Sequence, residues 1–172
     1  IPDDVTGKSL LPSLTADQRI RESVVFGYFG AAINVCDGRY SYFHYPKVDA
    51  AEHLFEYTLM PTRMTARFAI RELADATLHP SFSFTKGVPV LRLNPKTDEH
   101  GTPVEVQGLS FADQQSCLYD LSLDPAQSKP LDDPEIKARM QAYIIDNMIA
   151  LDAPTETYQR FTDGQVHLDA AD

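Results

Sequence analysis

An Asp-Gly pair between two β-prone runs constrains the fold of this chain more than any other feature. Asp37-Gly38 separates residues 31–36 from residues 39–45, and both runs carry β-branched or aromatic side chains. Such a pair is the strongest short-range signal for a β-hairpin, and its type I′ turn needs positive φ at both central residues. Residues 23–29 are also β-branched and aromatic, so the sequence predicts three consecutive antiparallel strands.

Neither face of the second strand of this hairpin is clearly polar. Its side chains alternate between two faces: Tyr40, Tyr42 and His44 on one, and Ser41, Phe43 and Tyr45 on the other. Because both faces carry aromatic residues, we expect a helix to cover one of them and a neighbouring domain to cover the other.

Two further strands are predicted at residues 53–59 and 88–93. Pro61 ends the first of them. Pro89 confines the second to a sheet edge or to the start of a strand, because proline has no N–H to donate.

A long helix is predicted to begin at Asp133. An Asp at the N-cap, Pro134 at the first helical position and Glu135 in the first turn are all typical of a helix start. The apolar side chains that follow form one stripe of about 100°, which requires a sheet to cover it: Ile136, Met140, Tyr143, Ile144 and Leu151. A second, shorter helix is predicted in the second half of residues 64–76, where apolar residues recur at helical spacing.

These elements predict an α+β fold: a sheet of about four antiparallel strands packed against the long C-terminal helix, with a second short helix. Residues 1–20 contain two prolines and a glycine, and are predicted to be an extended connector from another domain. Residues 21–161 form the predicted domain, with a charged loop at residues 94–108, and residues 162–172 a frayed tail. The chain begins without an initiator Met, so we expect an excerpt from a longer polypeptide.

The charge of the chain argues against two classes of partner. Its 25 acidic and 15 basic residues give a net charge of −10, a field that repels phosphate backbones and anionic membrane surfaces. No run approaches the roughly 20 apolar residues of a membrane span. We therefore expect neither nucleic acid nor a membrane as a partner. The hydrophobic fraction of 43% and the charged fraction of 23% predict a folded, soluble chain.

Cys36 and Cys117 are the only cysteines of the chain. Two are too few for the disulfide framework of a small secreted protein. Their apolar neighbours favour reduced, partly buried thiols, and a single bridge between the two is the open alternative.

Three segments together carry a resemblance to a known family: residues 6–12 (Thr-Gly-Lys-Ser-Leu-Leu-Pro), residues 27–43 around Asp37-Gly38-Arg39-Tyr40, and residues 118–125 (Leu-Tyr-Asp-Leu-Ser-Leu-Asp-Pro). Their order and spacing resemble the C-terminal part of a sulfatase of the alkaline-phosphatase superfamily. The resemblance extends from Val5 to about Phe161. Residues 57–64 and 84–87 resemble one bacterial branch of such sulfatases.

The resemblance implies a domain that does no catalysis itself. In this family an N-terminal domain holds the active site, and a four-stranded antiparallel sheet with a long helix forms the smaller C-terminal domain. The chemistry is sulfate-ester hydrolysis with a divalent cation, calcium or magnesium, and a formylglycine nucleophile made from a Cys/Ser-X-Pro-X-Arg motif. Neither Cys36 nor Cys117 lies in that motif. We therefore expect this chain alone to be inactive and the N-terminal catalytic domain to be its partner. The chain would complete the fold and one wall of the substrate cleft.

No catalytic residue and no metal ligand is predicted in this chain, because its five histidines are scattered. The resemblance offers two candidates for the substrate cleft, Arg63 and Lys86, whose charge would help to line the mouth of an anionic-substrate pocket. At the position of Arg63 the bacterial branch often has His. The alternative for both is a solvated or salt-bridged surface cation. Arg39 is predicted to pair with an acidic neighbour or with the partner domain.

Other functions stay open on the residues alone. A free-standing interaction or oligomerisation module, and the same domain of a phosphonate or phosphate monoester hydrolase, are both compatible with the pattern. Four tyrosines suit either a sugar-stacking platform or a domain interface: Tyr28, Tyr40, Tyr42 and Tyr45. An exposed apolar interface favours self-association, so we predict a dimer or larger homo-oligomer for the isolated chain. The compartment stays open between the bacterial cytoplasm and periplasm.

Overall fold

The structure is a computed structural model that describes residues 5, 7–46, 54–60, 62–64, 66–95 and 115–162. Most of the predicted charged loop at residues 94–108 and nearly all of the predicted tail at residues 162–172 lie outside these residues. The elements in chain order are α1 (Leu11–Ala16), β1 (Val24–Gly27), β2 (Ile33–Cys36), β3 (Tyr40–His44), β4 (Glu56–Thr58), α2 (Ile70–Ala74), β5 (Thr77–His79), a 3₁₀ turn (Ser83–Thr85), β6 (Val90–Leu93), β7 (Cys117–Asp120), α3 (Pro134–Ala150) and α4 (Thr155–Phe161). No helix in the described ranges is long and apolar enough to cross a membrane.

Four antiparallel strands form sheet A in the order β1-β2-β3-β7. One row of apolar side chains crosses all four strands on the same face: Val25, Val35, Tyr42 and Leu118. Val35 and Leu118 are completely buried, because Met140 and Ile144 of α3 pack on this face. The predicted α+β fold, with a four-stranded antiparallel sheet under a long C-terminal helix, is confirmed.

Helix α3 begins as predicted and ends one residue earlier than its stripe suggested. Asp133 Oδ1 accepts a hydrogen bond from Ile136 N at 3.0 Å and so caps the first turn. The helix ends at Ala150, so Leu151 leaves the helical stripe and is exposed. Met148, four residues after Ile144, is buried in its place.

The β2–β3 turn has a different register from the predicted Asp-Gly type I′ turn. Asp37 N donates to Tyr40 O at 3.1 Å, so the central residues are Gly38 and Arg39. Gly38 has φ +93° and Arg39 has no positive φ, a pattern typical of type II′. The Asp37 carboxylate causes the shift, because its Oδ1 accepts from the main-chain N–H groups of Arg39 and Tyr40 and closes the turn.

Three shorter antiparallel strands form sheet B in the order β4-β6-β5. The strands predicted at residues 53–59 and 88–93 are present as β4 and β6, but they pair with each other in this second sheet. Pro89 directly precedes β6 and marks a strand start, as its missing N–H requires. Strands β5 and β7 were not predicted, because Thr-Leu-His and Cys-Leu-Tyr-Asp are too short to show a period.

The predicted extended connector at residues 1–20 is wrong over residues 11–16, which form α1. Pro12 lies in the first turn of α1, where its missing N–H removes no intrahelical bond. The second short helix is confirmed as α2. Of the apolar residues that predicted it, Phe68 is buried whereas Met64 and Ile70 are exposed.

Candidate functional site

The second face of sheet A, opposite α3, is the best candidate for a functional surface. We name it the open face and define it by Val24, Phe26, Phe43 and Tyr119. Phe43 forms T-shaped contacts with Phe26 and Tyr119, with ring centroids 6.4 and 5.9 Å apart. Val24 is 42% exposed and Phe26 is 45% exposed, while Phe43 and Tyr119 are half-buried. Aromatic side chains are therefore left partly in water on a rigid sheet, as is typical of a surface that binds a partner.

Asn34 lies in the middle of the open face, in register with Phe26 on one side and Phe43 on the other. Its side-chain oxygen is buried and has no hydrogen-bond partner within the part of the chain that the structure describes. Buried polar atoms are nearly always hydrogen-bonded. The Asn34 oxygen is therefore a buried acceptor, unsatisfied among the described residues, beneath the aromatic side chains of the open face.

Cys36 and Cys117 also lie on strands of sheet A, and both are free thiols. Cys36 pairs with Val24 and Ser41 across the sheet, whereas Cys117 pairs with Phe43. The prediction of reduced, partly buried thiols is confirmed, and the alternative of a bridge between the two is wrong. Each thiol has a local contact, because Cys36 Sγ accepts from Gly38 N and Cys117 Sγ donates to Gln115 O.

An ion pair closes the hairpin end of sheet A. Arg39 donates from Nε and Nη2 to Asp120 Oδ2 at 3.2 and 2.9 Å, so the predicted acidic neighbour of Arg39 is Asp120. Ser122 donates to the other carboxylate oxygen from its N–H and its hydroxyl group. The bond from Arg39, followed by that from Ser122, lowers the pKa of Asp120 to about 2. A carboxylate so fully bonded is a structural anion rather than a general acid or base.

Asp37 joins the hairpin to the long helix. Arg139 of α3 lies 3.1 Å from Asp37 Oδ2, and Arg19 donates to the Asp37 main-chain oxygen at 3.1 Å. The Asp-Gly-Arg-Tyr segment that carries part of the family resemblance is therefore explained by its own turn and by the sheet-to-helix junction.

Arg63, the first cleft candidate, lies between two carboxylates. Its Nη2 is 2.8 Å from Glu56 of β4 and 2.9 Å from Glu72 of α2, and its guanidinium lies 4.7 Å from the ring centre of Phe68. These contacts fit the alternative of a salt-bridged cation. They leave its charge neutralised within the chain.

Lys86, the second cleft candidate, follows the 3₁₀ turn that leads into β6. It adopts a left-handed conformation with φ 54°, and Gly87 beside it has φ 78°. Lys86 is exposed. Arg63 and Lys86 are thus held by separate segments of the sheet B region.

A pocket of about 300 Å³ lies between the β1–β2 loop, β4 and α4. Its walls are mainly aromatic: Tyr28, Phe29, Phe55, Tyr57 and Phe161. Glu156 and Arg160 supply its charged groups. A pocket of this size, apolar with a few polar groups, has the general character of a small-ligand site.

The charged groups of this pocket are bonded within the chain. Tyr57 donates its hydroxyl proton to Glu156, and Arg92 lies 3.7 Å from the same carboxylate oxygen. Burial and the bond to Glu156 raise the pKa of Tyr57 to about 12. Arg160 donates to Gly30 O at 3.0 Å, and burial lowers its pKa. Sequence reasoning missed Glu156 and Arg160, because α4 carries no motif and its burial depends on the neighbouring sheets.

The four tyrosines do not form one surface. Tyr40 and Tyr42 belong to the core under α3, whereas Tyr28 is 73% exposed in the β1–β2 loop. The alternatives of a shared sugar-stacking platform and of a shared interface are therefore both wrong for Tyr40 and Tyr42. Period-2 alternation separates them from Phe43, whose side chain lies on the open face.

His44 joins three segments. Its Nε2 donates to Phe161 O at 2.7 Å, because a carbonyl oxygen only accepts, which leaves Nδ1 to accept from Tyr42 or Ser116 at 3.2 or 3.3 Å. Ser116 Oγ also accepts from Tyr45 N. This serine–histidine pair ties β3, β7 and α4 together, which explains the bonds without a catalytic role.

No group of three or more metal-binding side chains occurs within the described ranges. No family model matches the chain, and a search of curated proteins finds no significant match.

Proposed function

We propose that this chain is the C-terminal, non-catalytic domain of a sulfatase-like sulfuric-ester hydrolase, and that its open face docks on the catalytic domain. The observation that carries the proposal is the asymmetry of sheet A: α3 covers one face and partly exposed aromatic side chains form the other. The sequence resemblance implies the same architecture, a four-stranded antiparallel sheet with one long helix. The two lines of support are independent, because the alternation of side chains does not depend on the resemblance.

The role follows from what the open face offers chemically. Phe26, Phe43 and Tyr119 supply partly exposed aromatic area for a partner. Burying apolar surface contributes roughly 25 cal/mol per Å², which the entropy lost on association and side-chain ordering partly offsets. The domain would thus complete the enzyme by packing, while the metal and the nucleophile belong to the partner.

The first test is hydrolysis of 4-nitrophenyl sulfate, with calcium and with magnesium, by this chain and by the full-length protein encoded by its reading frame. We expect activity in the full-length protein and none in the chain. Faster turnover of 4-nitrophenyl phosphate or of a phosphonate ester by the full-length protein would replace the sulfatase assignment. A reading frame without an upstream catalytic domain would overturn the proposal in favour of a free-standing interaction module.

The second test addresses docking. Tyr119→Glu places a charge on the open face, and we expect it to abolish co-purification of this chain with the separately expressed catalytic domain. Leu78→Glu is the matched control, since Leu78 is an apolar residue that is 75% exposed on β5 of sheet B. Equal loss of binding with both variants would contradict docking through the open face.

A further inference from the structure

Strand β1 is an edge of sheet A without a strand on its outer side in the described part of the chain. The opposite edge is different, because Leu131 N donates to Leu118 O at 2.7 Å and so covers β7. Natural sheets protect open edges with Lys, Pro, a bulge or a covering segment. β1 reads Val-Val-Phe-Gly and contains neither Lys nor Pro.

The alternation of hydrogen-bonded and non-hydrogen-bonded residue pairs in sheet A shows which main-chain groups of β1 point away from β2. The β2–β3 hairpin closes through a main-chain bond, and bonded and non-bonded pairs alternate away from it. On β1 this alternation turns the main-chain groups of Val24 and Phe26 towards β2. The N–H and C=O groups of Val25 and Gly27 therefore point to the open edge.

This edge lies in an uncharged segment of a strongly acidic chain. Residues 23–36 contain no charged side chain, although the whole chain carries a net charge of −10. Two copies of such a chain repel each other wherever their acidic surfaces meet. The β1 edge is a place where they can meet without that repulsion, and Val24 and Phe26 expose apolar area beside it.

We propose that β1 pairs antiparallel with β1 of a second copy of this chain, so that two copies of sheet A form one continuous sheet. An antiparallel pair of identical strands is self-complementary about a two-fold axis, as a closed dimer requires. The inference does not rest on the proposed function, because it uses the outward main-chain groups of β1 and, of the open face, only Val24 and Phe26 beside that edge.

The outward groups define the register. A two-fold axis at Val25 pairs Val25 with Val25 of the second copy and Ser23 with Gly27 of the second copy. In this register every outward-facing main-chain N–H and C=O group from residue 23 to residue 27 has a partner. Beyond Gly27 the chain turns away, since Tyr28 O accepts from Ala31 N at 3.0 Å. In this register Val24 lies opposite Phe26 of the second copy.

The test is the mass of the full chain by light scattering across the micromolar range. We expect the wild type to have twice the mass of one chain. Val24→Lys should raise the dissociation constant at least about tenfold, because it adds a lysine to each side of the apolar junction. Leu78→Lys is the matched control, since Leu78 is 75% exposed on β5, an edge strand of sheet B. Circular dichroism checks that each variant is folded.

Two further variants separate this pairing from other modes of association. Tyr119→Glu should stay dimeric, because it changes the open face and not the edge. Phe26→Glu alone should be monomeric, and an equimolar mixture of Phe26→Glu with Val24→Lys should recover the dimer, since the new charges then face each other. A monomeric wild type, a Val24→Lys variant that dimerises as tightly as the wild type, or a mixture that dimerises no better than either variant alone would overturn the proposal.

Discussion

Sheets A and B pack in different ways within one chain. Sheet A lies under the 17-residue helix α3. Among the described residues, four of the five largest completely buried side chains belong to this unit: Val35, Leu118, Met140 and Ile144. Sheet B has strands of three or four residues and the five-residue helix α2 beside it. Leu93 is its one member of that fully buried set.

Sheet B has a small apolar core and is stabilised by aromatic, cation–π and ion-pair contacts. Tyr57 contacts His79 and Phe82 with centroids 5.0 and 5.3 Å apart, and Arg92 lies 3.5 Å from the ring centre of Phe55. Arg63 bridges β4 to α2 through Glu56 and Glu72. A short sheet without a long helix thus relies on directional contacts, whereas a helix-covered sheet relies on buried apolar area.

The largest expected difference between the sheets comes from removing one leucine from each core. Leu118→Ala should lower the free energy of unfolding towards the upper end of about 2 to 5 kcal/mol, because α3 holds its surroundings rigid. Leu93→Ala should fall towards the lower end, since the smaller sheet B can relax around the gap. Urea unfolding of both variants measures the difference. A larger loss for Leu93→Ala would contradict the larger apolar core of sheet A.

Charge substitutions test the other half of this contrast, the dependence of sheet B on ion pairs. Arg63→Met keeps an aliphatic stem but leaves the carboxylates of Glu56 and Glu72 without this partner, and we expect a loss of about 1 to 3 kcal/mol. Lys86→Met changes an exposed turn residue and should stay within about 0.5 kcal/mol. If the full-length protein hydrolyses 4-nitrophenyl sulfate as proposed, a higher KM for Lys86→Met at unchanged stability would support the proposed place of Lys86 at the cleft. An unchanged KM would exclude it.

Replacing a turn glycine should lower the free energy of unfolding by a similar amount in both sheets. Gly38 in the β2–β3 turn has φ +93° and Gly87 before β6 has φ +78°, and an added Cβ would meet nothing within 4 Å at either position. Gly38→Val and Gly87→Val should therefore each cost about 1 to 2 kcal/mol through backbone strain alone. Thermal unfolding compares the two. Clearly unequal costs would show that the sheets differ in backbone as well as in packing.

The smallest expected effect concerns the pH dependence of stability. Asp120 of sheet A and Tyr57 of sheet B should contribute to it with opposite sign. The folded state lowers the pKa of Asp120 from 3.8 to about 2, so below pH 3.8 the unfolded chain takes up the proton first. Its contribution to stability is present above pH 3.8 and is lost as pH falls to about 2. Asp120→Asn should abolish this acid loss. Urea unfolding from neutral to acidic pH would contradict the assignment if the variant and the wild type kept parallel profiles.

Tyr57 of sheet B should respond at the other end of the pH range. Its pKa rises from 10.0 to about 12 on folding, so the unfolded chain loses the proton first as pH rises. The contribution is complete below pH 10 and disappears as pH approaches 12. Tyr57→Phe should remove this alkaline loss and leave the acid loss from Asp120 unchanged. Unfolding curves above pH 9 make the comparison.

The parts of the fold that sequence reasoning found are those with local causes. The β-prone runs around Asp37-Gly38 form β2 and β3, and Asp133 caps α3 at the predicted position. Even there, the turn register depended on a bond from the Asp37 side chain, which a sequence pattern does not show. The resemblance to sulfatases stays a prediction, and so does the cleft role of Lys86.

The sequence alone therefore determined the antiparallel hairpin, the capped amphipathic helix and the acidic charge, because propensity, period and charge act over a few neighbouring residues. The tertiary structure decided that β4 and β6 form a separate sheet, that Arg63 is neutralised by two carboxylates, and that Arg160 is buried. Each of these depends on how separate secondary-structure elements pack together. Such contacts follow from packing and burial in three dimensions, and no local pattern of residues records them.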